Sequence, residues 1–295
     1  MRHLGMRFLV GLAALLVAAA AGAQYRVRDD LGREVRFDAA PARVVSMLPS
    51  ITEIVCALDE CRRLVGTDSY SNWPPEVVSL PKAGGLDDAQ VERIVALHPD
   101  LVLLSGSARV TDRLAQLGVR TFAIQTDRYA DIARSIALVA QALGVPARAQ
   151  PLQAQVEREV DAVAQAAKAA YGARHAQGPS VYFEVDESPY AAGPTSFIGE
   201  LLSRLGARNI VPASLGPFPR INPEFVVRAD PDVIFVAPQA AVRLAQRPGW
   251  SGIRAVREHR ICTLGDHERD AVVRPGPRVA EGMRAIEACL DKVAP

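Results

Sequence analysis

Two segments far apart in the chain carry nearly the same pattern. Residues 92–104 read ERIVALHPDLVLL, and residues 224–236 read EFVVRADPDVIFV. Each begins with a glutamate, continues through a short segment of apolar spacing, passes a Pro-Asp pair and ends in an apolar run. Internal similarity at long spacing indicates two copies of one structural unit. The repeat therefore predicts two like lobes, with Glu92 and Glu224 at equivalent points, and a functional cleft between the lobes.

Strand and helix patterns alternate through both halves of the chain. The predicted strands span residues 43–47, 64–66, 101–104, 120–124, 181–185 and 261–264. Alternation of this kind is typical of parallel sheets built from βαβ crossovers. The predicted fold class is therefore α/β, with two Rossmann-like three-layer lobes that each contain a mainly parallel sheet.

The segment 146–172 has a different character. It has no glycine before Gly172, and Leu152, Val156 and Val160 recur at the spacing of one helix face. We predict one long helix there, joining an N-terminal lobe, 24–145, to a C-terminal lobe, 173–295. A continuous helix between the lobes predicts little movement of one lobe against the other.

The first 23 residues have the pattern of a secretory signal peptide. Arg2 and Arg7 give a basic start, an apolar run follows at 8–20, and small residues occupy 21–23. This pattern predicts cleavage before Gln24; an uncleaved anchor is the alternative. No later segment is apolar for long enough to span a membrane. We therefore expect a soluble, exported, periplasmic protein that acts as a monomer.

The charge balance excludes one class of partner. The whole chain carries a formal net charge of +1, and loss of the signal peptide would remove two arginines. A nearly neutral chain is a poor candidate for nucleic-acid binding, so we expect no nucleic-acid partner.

Four cysteines allow three pairings. Cys56 and Cys61 flank a predicted helix end, whereas Cys262 and Cys289 fall on the last predicted strand and helix. We favour these two disulfides; the alternative is that one or both pairs stay reduced and buried. Neither the cysteines nor the scattered histidines have the spacing of a metal site, so none is predicted.

Helix starts near the cleft carry polar signals. Ser50 and Glu53 have the spacing of a capping box, in which each side chain binds a free backbone N–H at the start of the helix. Glu200 and Leu205 repeat the spacing of Glu53 and Leu58 in the second half, which supports the two-lobe interpretation.

Ligands of open α/β sheets bind beyond the carboxyl ends of the strands. The loops expected at that edge are 48–50, 67–75, 189–195, 212–223 and 266–277. Aromatic residues are only 5% of the chain, yet several fall in or beside these loops, namely Tyr70, Trp73, Tyr190, Phe197 and Phe218. As a group they favour a large planar ligand, although any single ring could simply pack beneath its loop.

Charged residues of the same loops offer hydrogen bonds and docking points. Asp266 and Arg274 belong to a densely charged segment that could bind amides or carboxylates of a ligand. Glu92 and Glu224 each stand in the first turn of a predicted helix, where a carboxylate offsets the helix dipole. The repeat nevertheless places one such anion on each lobe, where the pair could bind cationic residues of a docked partner.

Several stretches resemble a known family along almost the whole chain. They are RVVSMLPSITEIVCAL (43–58), LVGTDSYSNWPPE (64–76), LPKAGG (80–85), VERIVALHPDLVL (91–103) and GPRVAEGMRAIEACL (276–290). Together they resemble periplasmic solute-binding proteins of the helical-backbone class, class III, which serve ABC importers for cobalamin, ferric siderophores and haem. The YSNWPP loop at 70–75 is most similar to the cobalamin branch.

The resemblance implies roles for the matching residues. Tyr70 and Phe218 would contact a corrin, and Asp266 and the loop arginines would contact ligand side chains. Glu92 and Glu224 would dock onto arginines of an inner-membrane ABC permease. One departure is that Gly84-Gly85-Leu86 stands where cobalamin-binding relatives often present a tryptophan.

The implied function is delivery of a corrinoid, with a ferric siderophore or haem as the alternative ligand within the class. Cobalamin would then be the transported ligand and not a cofactor. The chain has no catalytic motif of a secreted hydrolase and no His-rich segment of a metal chaperone, so neither an enzyme nor a chaperone is favoured. The candidate ligand-binding residues are Ser50, Tyr70, Trp73, Tyr190, Phe218, Asp266 and Arg274.

Overall fold

The computed structural model describes residues 24–172, 178–186 and 189–293, so the predicted signal peptide lies outside the described residues. The strands are β1 Tyr25–Arg28, β2 Glu34–Phe37, β3 Val44–Ser46, β4 Leu64–Thr67, β5 Leu101–Ser105, β6 Thr121–Ile124, β7 Ser180–Asp186, β8 Tyr190–Ala191, β9 Arg208–Asn209, β10 Val233–Phe235 and β11 Ile261–Cys262. The helices are α1 Pro49–Ala57, α2 Val91–Ala96, α3 Thr111–Gln116, α4 Asp131–Ala142, α5 Ala149–Gly172, α6 Phe197–Arg204, α7 Pro223–Ala229, α8 Pro238–Ala241, α9 Arg254–Arg257, α10 Asp266–Val273 and α11 Val279–Val293.

Each lobe is built on a sheet with the same strand order. In the N-terminal lobe the order is β4-β3-β5-β6, and every pair is parallel. In the C-terminal lobe β9, β7, β10 and β11 follow the same order, also in parallel, and β8 adds an antiparallel strand beside β7. The central strands are apolar and buried because helices cover both faces of such sheets. The α/β prediction is confirmed.

The repeated segments form the same unit in each lobe, a short helix followed by a central strand. Asp100 Oδ2 accepts hydrogen bonds from the N–H groups of Ala42 and Arg43 at 2.9 and 2.8 Å. Asp232 Oδ2 accepts them from the N–H and hydroxyl of Ser180 at 2.8 and 2.7 Å. The aspartate of each Pro-Asp pair therefore holds the neighbouring parallel strand at its start.

The two lobes are joined by α5, whose 24 residues correspond to about 36 Å of helix. A short 3₁₀ turn at Pro146–Arg148 precedes it, so the α-helix begins three residues later than the predicted boundary. It packs against α4 of the N-terminal lobe and α11 of the C-terminal lobe, with Val156 and Val160 buried. One apolar cluster runs from the N-terminal lobe through α5 into the C-terminal lobe, so the lobes share part of their core.

Both favoured disulfides are present. Cys56–Cys61 closes the end of α1, and Cys262–Cys289 ties β11 to α11. Within the described ranges no helix is both long enough and apolar enough to cross a bilayer.

The short strands β8 and β9 and the short helix α8 were not predicted from the sequence, and two larger differences concern the start of the described chain and the cleft. The hairpin of β1 and β2 at the start of the described chain was not predicted, although its strands YRVR and EVRF alternate apolar and charged residues, which is the usual pattern of a half-buried strand. The segment 266–277, predicted as a loop, contains α10. Its first turn is stabilised by Glu268, whose carboxylate accepts a 3.0 Å hydrogen bond from the Gly265 N–H, a contact that the charged sequence did not make obvious.

Candidate ligand-binding cleft

A cleft lies between the lobes, at the carboxyl ends of the strands of both sheets. It consists of two adjoining cavities of about 710 and 550 Å³, which share Thr126, Asp127, Val273 and Pro275 in their walls. Both volumes fall within the usual range of small-molecule sites. The two cavities therefore form one continuous site that can hold a large ligand.

Both lobes build the walls of the cleft from segments that follow sheet strands. In the N-terminal lobe these are Leu48–Ser50 after β3, residues 69–72 after β4, residues 105–107 after β5 and residues 126–128 after β6. In the C-terminal lobe α10 lines the first cavity, and the start of α6 with Phe218 lines the second. The position agrees with the general rule for parallel sheets.

The cleft brings together most of the predicted ligand-binding residues. Ser50, Tyr70, Asp266 and Arg274 line the first cavity, and Phe218 lines the second. The Tyr70 and Phe218 side chains are conspicuously exposed, at 67% and 51% of their surface. An open ring at the wall of a cleft is available to a flat ligand, so the aromatic prediction stays reasonable for these two residues.

Trp73 and Tyr190 line neither of these cavities. The Trp73 ring packs edge-on against His267, with 5.1 Å between centroids, and lies 4.7 Å from the Arg278 guanidinium. It therefore contributes to the junction between the lobes. Tyr190 lies in β8 beside β7 and is 42% exposed. Sequence proximity to the loops did not determine where either ring points.

The predicted capping box between Ser50 and Glu53 is wrong. Helix α1 begins at Pro49, after Leu48, and has no side-chain cap. Proline is well suited to the first helical position because it lacks the N–H that would be unpaired there. Ser50 is consequently inside the helix, with its hydroxyl 3.2 Å from that of Thr126.

Glu53 is instead a buried carboxylate that crosses to the other lobe. Its Oε1 accepts a 3.0 Å hydrogen bond from Arg274 Nη1, and Arg278 Nη1 lies 3.5 Å away. Burial raises the pKa of the Glu53 carboxyl, an effect that the nearby charges of Arg278 and Arg274 partly offset. The ion pair of Glu53 and Arg274 is shielded from solvent.

The guanidinium of Arg274 makes several contacts with other residues of the protein. Besides Glu53, it donates to Asn72 Oδ1 at 2.9 Å and to the Tyr70 carbonyl at 3.0 Å, and it pairs with Asp270 at 2.9 Å. Its guanidinium lines the cleft but binds protein groups of both lobes. A ligand contact through Arg274 stays a prediction, limited to donors not already used.

Sequence reasoning missed the loop after β6. Thr126, Asp127 and Arg128 line the cleft, and Arg128 donates two hydrogen bonds, of 3.1 and 2.8 Å, to Glu200 of the C-terminal lobe. The signal was available, because this loop also follows the carboxyl end of a strand.

The arginines that line the cleft are all neutralised. Arg274 is paired with Glu53 and Asp270, Arg128 is paired with Glu200, and Arg269 is paired with Asp266 at 2.8 Å. Asp127 makes no side-chain hydrogen bond or ion pair within the described ranges. Among the described residues the lining therefore offers hydroxyls, amides and aromatic rings, but no arginine without a carboxylate partner.

Metal ligands are not concentrated at the cleft. In the part of the chain that the structure describes, no group of three His, Cys, Asp or Glu side chains is arranged to hold an ion. The described walls include no histidine or cysteine; the side chains there that could coordinate a ligand's metal are Tyr70 and the carboxylates of Asp127, Asp266 and Asp270.

Glu92 and Glu224 occupy the first turns of α2 and α7, as the repeat predicted. Both are exposed, and their carboxylates make no hydrogen bond or ion pair with any described residue. The N–H of Glu224 donates to the Asn222 cap at 2.9 Å, so its helix start is held independently of its carboxylate. Docking through the two glutamates stays a prediction.

Comparisons with known proteins agree on the kind of molecule. The family described as periplasmic binding protein matches residues 44–268. An uncharacterized ABC transporter substrate-binding lipoprotein, YvrC of Bacillus subtilis, is 28% identical over 88% of this chain and 83% of its own. A vitamin B12-binding protein of Vibrio parahaemolyticus is 26% identical over 84% of this chain and 88% of its own.

Solved structures of periplasmic binding proteins superpose on this fold. The periplasmic heme-binding protein RhuT from Roseiflexus sp. RS-1 superposes with a TM-score of 0.74 at 29% identity, covering 86% of this chain and 99% of that one. The named relatives are binding proteins, in agreement with the non-enzymatic role predicted from the sequence. From its match over residues 44–268 and its two-lobed fold, this chain belongs to the periplasmic binding protein family and is a substrate-binding protein of an ABC transporter.

Proposed function

We propose that the protein captures a corrinoid such as cobalamin in the cleft between its lobes and delivers it to the permease of an ABC importer. The observation that carries the choice of ligand is that the described lining of the cleft has no cationic side chain without a carboxylate partner. Its three lining arginines are each paired with a carboxylate. The similarity to a vitamin B12-binding protein supports the same choice.

The chemistry of the walls suits a corrinoid. A corrin is a large, flat ring with amide side chains, which need donors and acceptors but no compensating charge. Ser50, Ser69, Ser105 and Ser107 supply such groups at the first cavity. The exposed rings of Tyr70 and Phe218 supply flat apolar surface.

Haem is the second candidate. It carries two carboxylates, which would favour a free arginine or lysine in the cleft and would be repelled by the unpaired Asp127. Two observations nevertheless favour it: the Tyr70 phenol is open to the cleft, and a heme-binding protein is among the structural relatives. A phenolate oxygen is a known iron ligand in haem proteins.

Calorimetric titration of the purified protein with cyanocobalamin and with hemin separates the two candidates. We expect heat and 1:1 binding with cyanocobalamin and little binding of hemin. Binding of hemin with a shifted Soret band, and no heat with cyanocobalamin, would overturn the corrinoid proposal.

Tyr70→Phe sharpens the distinction. It removes the hydroxyl and keeps the ring, so a corrinoid that stacks on the ring should be retained. A haem coordinated by the phenolate would lose that axial ligand, and its Soret and charge-transfer bands would shift. Tyr190→Phe is the matched control, because Tyr190 is also exposed but lines neither of the two cleft cavities.

The partner and the location complete the proposal. The permease would meet the surface that carries Glu92 and Glu224, one carboxylate on each lobe. The signal peptide would direct export to the periplasm and would be cleaved before Gln24. N-terminal sequencing of the exported protein would reveal this cleavage site.

A further inference from the structure

Two cleft-lining loops of the N-terminal lobe are held by side chains of the C-terminal lobe. The first is the loop 70–72. Arg274 donates to the backbone carbonyl of Tyr70 at 3.0 Å and to Asn72 Oδ1 at 2.9 Å. Asn72 in turn donates to Asp270 Oδ2 at 2.7 Å. Tyr70 itself has an exposed ring, so the position of this ring depends on a backbone that the other lobe holds.

The second held loop is 126–129. Glu200 Oε2 accepts a 2.7 Å hydrogen bond from the backbone N–H of Tyr129. Glu200 Oε1 accepts from both Arg128 Nε and Arg128 Nη2. The loop lines both cavities through Thr126 and Asp127, so its position shapes the whole cleft.

The two contacts are related by the internal repeat. Glu53 on α1 and Glu200 on α6 each stand five residues before the leucine that ends the helix, Leu58 or Leu205. Each glutamate pairs with an arginine of the opposite lobe. They differ in burial: the Glu53 and Arg274 side chains are 2% and 8% exposed, and those of Glu200 and Arg128 are 19% and 62% exposed.

We infer that Glu200 and Arg274 are positioning residues for the binding site: each crosses the cleft to fix the backbone of a loop that lines it. A loop that is already ordered loses little further conformational freedom when ligand binds, so fixing it raises affinity without any new ligand contact. The ligand class named in the test rests on the proposed function, whereas the role of the two residues does not.

Glu200 offers the cleaner test, because its pair is exposed and its removal leaves no deeply buried charge. Glu200→Ala removes the acceptor for the Tyr129 N–H, whereas Glu200→Gln keeps one oxygen for that N–H and loses the charge and the acceptor that Arg128 uses. Residue-resolved hydrogen exchange should show faster exchange of the Tyr129 amide in Glu200→Ala and near wild-type exchange in Glu200→Gln. Glu34→Gln is the control, since Glu34 pairs with Arg26 inside one lobe. Unchanged exchange at Tyr129 in Glu200→Ala would overturn the inference.

Affinity for cyanocobalamin is the second readout. We expect Glu200→Ala to bind about tenfold more weakly, the effect of losing one hydrogen bond to a charged group, with Glu200→Gln close to wild type. Arg274→Lys should also bind more weakly, because one ammonium cannot replace the guanidinium at all of its acceptors.

Equal cyanocobalamin affinity in wild type and Glu200→Ala would contradict the positioning role. If the wild type itself binds no cyanocobalamin, the proposed function fails, and exchange at Tyr129 alone then decides the role of Glu200. If Arg274→Lys does not fold, the Glu200 variants alone test the positioning role.

Discussion

Asp100 and Asp232 occupy equivalent positions in the two lobes, and each carboxylate holds the first residues of the neighbouring parallel strand. The Pro-Asp pairs that made the repeat visible in the sequence are thus structural. They stabilise the sheets that present the cleft, whereas the glutamates of the same repeat lie free at the surface.

We therefore expect Asp100→Ala to lower the free energy of unfolding by about 2 kcal/mol, since two backbone N–H groups lose a charged acceptor. Urea unfolding monitored by circular dichroism measures this. The control is Asp38→Ala, because Asp38 makes only long, exposed ion pairs and should change stability by less than about 0.5 kcal/mol. Equal effects of the two substitutions would contradict the structural role of Asp100.

Gly85 permits the close approach of the Tyr70 ring. A Cβ at Gly85 would lie 2.9 Å from both Asp88 Oδ1 and Tyr70 Cε2, which is closer than such contacts allow. We expect Gly85→Ala to displace the ring and weaken corrinoid binding about tenfold, from an overpacking cost on the order of 1–3 kcal/mol. Calorimetric titration with cyanocobalamin gives the affinity. Gly252→Ala is the control, because a Cβ there meets nothing within 4 Å.

Charge reversal at Glu92 and Glu224 tests docking separately from ligand binding. Both carboxylates are exposed and lack partners among the described residues. The double variant to lysine should weaken association with the cognate permease at least about tenfold, because like charges would then meet. Ligand affinity should stay within about twofold of wild type. Glu157→Lys, an exposed change on α5, is the control. A loss of ligand affinity as large as the loss of association would place the two glutamates in the ligand site.

Two buried carboxylates should affect acid stability with opposite sign. Burial raises the pKa of Asp68 above its ordinary value of 3.8, although hydrogen bonds from Ser71 and the Tyr70 N–H partly oppose it. Burial also acts to raise the pKa of Asp232, but hydrogen bonds from Ser180 and the charge of Arg254 lower it overall.

Asp68 binds its proton more tightly in the folded state, so its contribution to stability is full below pH 3.8 and declines as pH rises through the higher folded pKa. Asp232 contributes stability above pH 3.8 that is lost as pH falls through its lower folded pKa. Across pH 2–7, the difference in unfolding free energy between wild type and Asp68→Asn should therefore decrease with pH, and that between wild type and Asp232→Asn should increase. Parallel slopes for the two variants would contradict these directions.

The sequence predicted the α/β class, the two like lobes and the long joining helix, and it favoured the two disulfide pairings that the structure contains. The class, the lobes and the joining helix follow from hydrophobic periodicity and from the internal repeat, which are both visible in short stretches of sequence. It also placed Tyr70, Phe218, Asp266 and Arg274 in loops that meet at one edge of the sheets, because that edge is common to all parallel strands.

The contacts of those side chains depend on the packing of the two lobes and could not be read from the sequence. Glu53 looked like a helix cap, but it pairs with Arg274, 221 positions along the chain; Glu200 reaches Arg128 across 72 positions. Trp73 belongs by sequence to the same loop as Tyr70, yet packs against His267 at the junction of the lobes. Contacts at such separations depend on how the lobes are packed by α5 and their shared core. Local sequence could therefore show that Glu53 and Glu200 are equivalent, but not that each crosses to the opposite lobe.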